Sequence, residues 1–134
     1  MLDYDPKILL AFGQTFSEEG GEDFYKWLLK NGYPELAALS SSIRGSTEAR
    51  DWLMKNNFPH FAALDGAIDK KADSFAWLRS YKYDLLTVFA EAINGKREAV
   101  EFFRKHDMKI FMHLANMIRN YRERQTFDYH KIHF

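Results

Sequence analysis

A period of 25 residues runs through this 134-residue chain and leaves it few ways to fold. Trp27, Trp52 and Trp77 stand at that interval, and Phe102 takes the next place. Their surroundings repeat with them: WLLKNGYPELAAL at 27–39 is answered by WLMKNNFPHFAAL at 52–64, then by WLRSYKYDLLTVF at 77–89 and FFRKHDMKIFMHL at 102–114. Self-similarity at a fixed spacing of roughly 20–50 residues marks a stacked array, in which no unit can bury its apolar face alone.

Aligned as units 21–45, 46–70, 71–95 and 96–120, the copies share columns. Asp23, Glu48, Asp73 and Glu98 precede the aromatic column by four residues, and Leu28, Leu53, Leu78 and Phe103 follow it. With Phe24, Ala49, Ser74 and Ala99 these form an i, i+3, i+4 stripe, the signature of a helix with one apolar face. The acidic column falls in its first turn, where the macrodipole favours negative charge, so it reads as helix-start chemistry and not as catalytic carboxylates. Asn31-Gly32 and Asn56-Asn57 are helix stops, and Pro34 and Pro59 stand where a second helix begins. Leu36/Phe61/Leu86/Phe111, Leu39/Leu64/Phe89/Leu114 and Ile43/Ile68/Ile93/Ile118 give that helix its own face. Helices of about ten residues are marginal alone in water, so order must come from stacking. The apolar neighbours of the tryptophans place those rings in the core.

The ends depart from the pattern, as capping units do. Residues 1–20 read as an N-terminal cap helix, with Leu9, Phe12 and Phe16 on one side. Residues 121–134 read as a C-terminal tail, extended over its last ten residues, with Phe127, Tyr129, Ile132 and Phe134 covering this chain or a neighbour. The expectation is therefore a single all-α domain over 1–134, a right-handed α-solenoid of about four helical hairpins, elongated and slightly curved.

The stretch PELAALSSSIRGSTEARDWLMKNN, from residue 34, resembles the helical part of an ankyrin repeat, with Gly45 at the inter-helix turn and Glu48 three residues on. AEAINGKREAVEFFRKH at 90–106 repeats the likeness through Gly95, Glu98, Phe102 and Phe103. The period is shorter than the 33 residues of ankyrin units, and the Thr-Pro-Leu-His turn and β-hairpin finger are missing. What the resemblance implies is a helical-hairpin binding scaffold with no shared catalytic residues.

Composition removes several kinds of chemistry. Hydrophobic residues at 46% are too many for a disordered chain. Cysteine is absent, which excludes disulfides, thiolate nucleophiles and Cys-bound metals. With no secretory signal and no apolar run long enough to span a membrane, a cytoplasmic home is the simplest reading. The sequence offers no phosphate loop, nucleophile elbow or HExxH pattern, so no enzyme and no cofactor is expected. His130 and His133 lack a carboxylate at ligand spacing and do not read as a metal site. His106 reads as a helix cap, and His113 as lining a groove or facing water. The methionines, Met54, Met108, Met112 and Met117, read as gap-fillers.

Charge is zero overall but uneven: −3 over 1–45, −1 over 46–95 and +4 over 96–134. Function should show where copies diverge at polar columns. Arg79 and Arg104 replace Leu29 and Met54, Tyr81 and His106 replace Asn31 and Asn56, and Lys82 and Lys109 join them. Arg79, Tyr81, Lys82, Arg104, His106 and Lys109 thus form a candidate basic and aromatic edge for an acidic peptide or protein partner, or for a phosphate-bearing ligand. Solvated charges at the drifting end of an array are the plainer reading. A helical repeat that binds nucleic acid through its basic C-terminal end is the alternative, and a homodimer through the tail a further expectation.

Overall fold

A computed structural model of the chain describes the backbone of residues 3–132 and the side chains of 3–125. Its elements are α1 (Pro6–Gln14), α2 (Gly21–Lys30), α3 (Pro34–Ile43), α4 (Thr47–Lys55), α5 (Pro59–Ile68), α6 (Ala72–Ser80), α7 (Asp84–Ile93), α8 (Arg97–Lys105) and α9 (Lys109–Ile132), with no strand among the described residues. The protein is all-α, as the periodicity requires.

Local chemistry sets the boundaries. Pro6, Pro34 and Pro59 open their helices, where a missing N–H leaves no bond unmade. Asp5 and Ser46 cap theirs by accepting the backbone N–H of Lys7 and Ala49. The acidic column lies in the first turns of α2, α4, α6 and α8. Each of these four helices then stops the same way: Gly32, Asn57, Lys82 and Asp107 take left-handed φ of 86°, 69°, 61° and 55°. That reversal lets the next N–H reach back, Tyr33 to Leu28 O at 2.9 Å and Phe58, Tyr83 and Met108 to Leu53, Leu78 and Phe103 O at 2.8 Å.

The core column is not the tryptophans. Leu28, Leu53, Leu78 and Phe103 are fully buried, whereas Trp27 is 42% exposed and Trp52, Trp77 and Phe102 are half-buried. Each indole instead lies flat on the aromatic ring just past its helix: Trp27 on Tyr33, Trp52 on Phe58 and Trp77 on Tyr83, with interplanar angles of 9°, 9° and 8°. The rings cover the turn edge, and the residue one step on points inward. An indole is rarely enclosed completely.

The odd-numbered helices form an inner layer, with α1 against α3, α3 against α5, α5 against α7 and α7 against α9. Buried Ala37, Ala62, Ala90, Ala92 and Ala115 allow these close approaches. The cycle then closes, because α9 packs on α1. At that seam Gly13 lies so near Leu114 and Met117 that an added Cβ would stand 2.7 Å and 2.8 Å from their side-chain atoms. The elongated stack expected from the sequence is therefore corrected to an inner layer whose two ends meet. Outer helices α2, α4, α6 and α8 each sit between two successive inner helices and touch no other outer helix.

Side chains bond across every junction of the cycle, near the C-terminal ends of the inner helices. The Thr15 and Ser40 hydroxyls are 2.7 Å apart, Ser42 donates to Asp65 at 2.5 Å, and Asn94 donates to Ala67 O at 3.1 Å. Arg119 donates to the carbonyls of Ala92 and Ile93, and Arg124 to Phe16 O at 2.7 Å. Ala67 O and Ala92 O also accept the N–H three residues on, from Lys70 and Gly95, so these donors use a second lone pair of carbonyls at the helix ends.

The extended tail is also corrected. α9 stays helical to Ile132, and no Gly or Pro interrupts the chain after Gly95. A helix already nucleated and packed propagates at little cost through polar sequence. The covering role expected of Phe127, Tyr129, Ile132 and Phe134, the homodimer built on it and the reading of His130 and His133 lie outside the described side chains.

Candidate functional site

Two regions carry unusual side chains: the turn edge, where outer helices end and inner helices begin, and the opposite end, where inner helices finish. On the turn edge the six residues singled out in the sequence are all exposed. Arg79 and Tyr81 end α6, and Lys82 follows in the left-handed turn. Arg104 and His106 end α8, and Lys109 opens α9. They stand at the ends of two outer helices, α6 and α8, which make no contact with each other and both lie against α7.

Several of the six also have local partners. Arg104 is paired with Glu101 at 2.6 Å, and Arg79 lies 5.4 Å over the Phe75 ring. His106 Nδ1 donates to Phe102 O at 2.8 Å, the same bond that Asn31 and Asn56 make at 2.8 Å to Trp27 O and Trp52 O. The exchange of Asn for His thus preserves a cap, as the sequence suggests. Tyr81 is 63% exposed and folds over Trp77, with ring centroids 4.5 Å apart. His60 stacks on Tyr83 at 5.0 Å, and burial lowers its pKa from the ordinary 6.5.

Splaying of the outer helices opens a groove of about 250 Å³ beside this edge. Met54, Pro59, Ala62, Ala63 and Trp77 supply its apolar wall, with Arg50, Asp73 and Ser74 around it. Met54 is 56% exposed.

The opposite end holds a site that sequence reasoning missed. A cleft of about 390 Å³ lies where α3 and α5 finish, with Tyr121, Arg122 and Gln125 of α9 along one side. Two salt bridges hold α9 in place there: Arg122 to Asp69 at 3.0 Å and Arg124 to Glu18 at 3.0 Å. Asp65 is 3% exposed and accepts the Ser42 hydroxyl. Burial pushes its carboxyl above the ordinary 3.8, against the pull of Ser42 and Arg50. Arg50 comes only to 3.8 Å of Asp65, and its buried Nε has no hydrogen-bond partner. Arg44 donates to Ser40 O at 3.3 Å and lies 5.4 Å over the Tyr25 ring. One signal in the sequence could have found this region: Asp65 occupies a column otherwise filled by Ser40, Ala90 and Ala115.

Among the described residues no group of three His, Asp or Glu is arranged to hold a metal ion, and no helix is long and apolar enough to cross a membrane. Set against protein-family models, the curated proteins and the solved structures, the chain matches none of them.

Proposed function

We propose that this chain is a non-enzymatic interaction module, an array of ankyrin-like helical hairpins that captures an acidic peptide or protein segment along the turn edge of its third and fourth units. One observation carries the reading. Trp77 and Met54 line an open apolar groove, and the exposed Arg79, Tyr81 and Lys82 stand two, four and five residues after Trp77, at the end of the same helix and in the turn beyond it. An apolar side chain of the partner enters the groove while neighbouring carboxylates meet Arg79 and Lys82, with Arg104 and Lys109 extending the basic edge to the next turn. Aromatic and arginine anchors are the side chains that dominate such contacts. Cytoplasmic location is part of this proposal.

Nucleic-acid binding through the basic C-terminal end is the weaker reading. Arg119, Arg122 and Arg124, which supply much of that charge, are bonded to carbonyls or carboxylates of the protein itself.

The test is binding of labelled Asp/Glu-rich peptides bearing one Leu or Phe, followed by anisotropy at two salt concentrations, with single- and double-stranded nucleic acid alongside. Double reversal, Arg79→Glu with Lys82→Glu, should weaken peptide binding by about tenfold or more, since each exposed pair contributes up to ~1 kcal/mol and reversal adds repulsion. Equal affinity in wild type and variant, or tighter binding of nucleic acid than of peptide, refutes the reading.

A further inference from the structure

We infer that the cleft beside α9 is a second binding site, sharing Arg50 with the rim of the groove, one that takes the phosphoryl group of a small phosphorylated molecule between the guanidinium groups of Arg44, Arg50 and Arg122.

The three cations come from three different elements, the end of α3, the middle of α4 and the second half of α9, yet all line one cavity. Its volume of about 390 Å³ lies in the range of small-molecule sites, about 300–1,000 Å³. Arg50 is the least committed of them. Among the described residues its buried Nε finds no hydrogen-bond partner, its side chain is 41% exposed, and the carboxylate it pairs with lies 3.8 Å away. That carboxylate, Asp65, already accepts the Ser42 hydroxyl. A guanidinium held this way has unused donors facing the cavity, and its planar fork matches the oxygens of a phosphate.

Charge points to the same ligand class. Three arginines against Asp65 and Asp69 leave +3 − 2 = +1. A phosphate monoester carries about −1.5 to −2 near neutral pH, whereas a single carboxylate carries half of that or less. Ser46, on the same wall, uses its oxygen to accept the Ala49 N–H and keeps its proton to donate. The body of the ligand has room to continue, because a larger cavity of about 610 Å³ meets the first at Arg44, Tyr121 and Gln125. That second cavity presents Glu22 and Asp23, which suit hydroxyl or ammonium groups.

The experiment is calorimetric titration of the full chain with inorganic phosphate, a hexose phosphate and succinate at matched ionic strength. Saturable binding of both phosphates, with succinate weaker, is expected. Tighter binding of the hexose phosphate assigns an ester as the ligand, and equal binding assigns the phosphoryl group alone. Arg50→Gln should lower phosphate affinity by about tenfold, one charged contact's worth. Arg44→Lys keeps the charge, removes the fork and should weaken it too. Lys55→Gln, on the exposed end of α4, should leave it unchanged. No saturable phosphate binding by the wild type overturns the inference, as do succinate binding equally well and undiminished affinity in both Arg50→Gln and Arg44→Lys.

Discussion

Gly66→Ala is the most informative single substitution in this protein, because it probes how tightly an outer helix seats on the inner layer. Gly66 lies inside α5 and faces Ser74 of α6. A Cβ placed there would stand 2.0 Å from Ser74 Oγ and 2.9 Å from Ser74 Cβ. Rotating the hydroxyl relieves the first contact. The second is fixed by backbone and falls well inside the roughly 3.5–4.0 Å separation of carbons in contact, so α6 must withdraw. Overpacking of this kind costs about 1–3 kcal/mol, and the gain in helix propensity on replacing Gly with Ala offsets about 1 kcal/mol. The net expectation is a loss of about 0–2 kcal/mol in urea denaturation followed by circular dichroism. Because that net is small, the decisive quantity is the coupling with Ser74→Gly, which removes both clashing atoms at a propensity cost of about 0.5 kcal/mol. The double-mutant cycle should show about 1–3 kcal/mol of favourable coupling. Since α6 carries Trp77 and Arg79, Gly66→Ala alone should also weaken capture of the acidic peptide, and Ser74→Gly should restore it. A Gly66→Ala protein about 1 kcal/mol more stable than wild type, with no coupling, would show that propensity alone is at work and that the helices do not approach this closely.

Other expectations follow from the same structure. Leu28→Ala should cost about 2–5 kcal/mol, as deletion from a fully buried site does, and Trp27→Ala distinctly less; the reverse order in urea melts would place the indole back in the core. Lys82→Gly should stabilise by about 0.5–1 kcal/mol, because a side chain at φ 61° is strained and glycine gives back part of the relief as chain entropy; an unchanged or lower denaturation midpoint counts against it. Asp65→Asn tests the buried carboxyl by pH. With its folded pKa above the unfolded 3.8, Asp65 contributes most below that value and loses stability as pH rises through the folded one. The Asn variant should therefore hold its largest advantage over wild type near pH 7, shrinking on acidification, and an advantage that grows toward acid contradicts the assignment.

The turn edge was legible and the cleft was not, for a physical reason. Asn31, Asn56 and His106 cap helices through bonds to the residue four places back, and Gly32, Asn57 and Lys82 reverse the chain locally. Such features depend on near neighbours in sequence and recur with the period. Asp65, Arg50 and Arg122 line one cavity because side chains of α9 reach residues at the ends of α3 and α5, and no local pattern encodes that. Tryptophan burial was misjudged for a related reason. The stripe in each first helix gives its apolar face, but whether Trp52 or Leu53 sits at the centre of that face depends on the angle at which two inner helices receive it.

Sequence alone determined that this chain is helical, where its outer helices stop and that its hairpins pack in register, because propensity, caps and apolar spacing act within a turn or two of helix. Only the tertiary structure decided that α1 meets α9, that α9 continues as a helix beyond the array, and that charged side chains gather at that seam. Closure is the sum of small rotations between successive units. Each is set by how side chains such as Gly66 and Ser74 fit together, and a repeat pattern records that they fit without recording the angle.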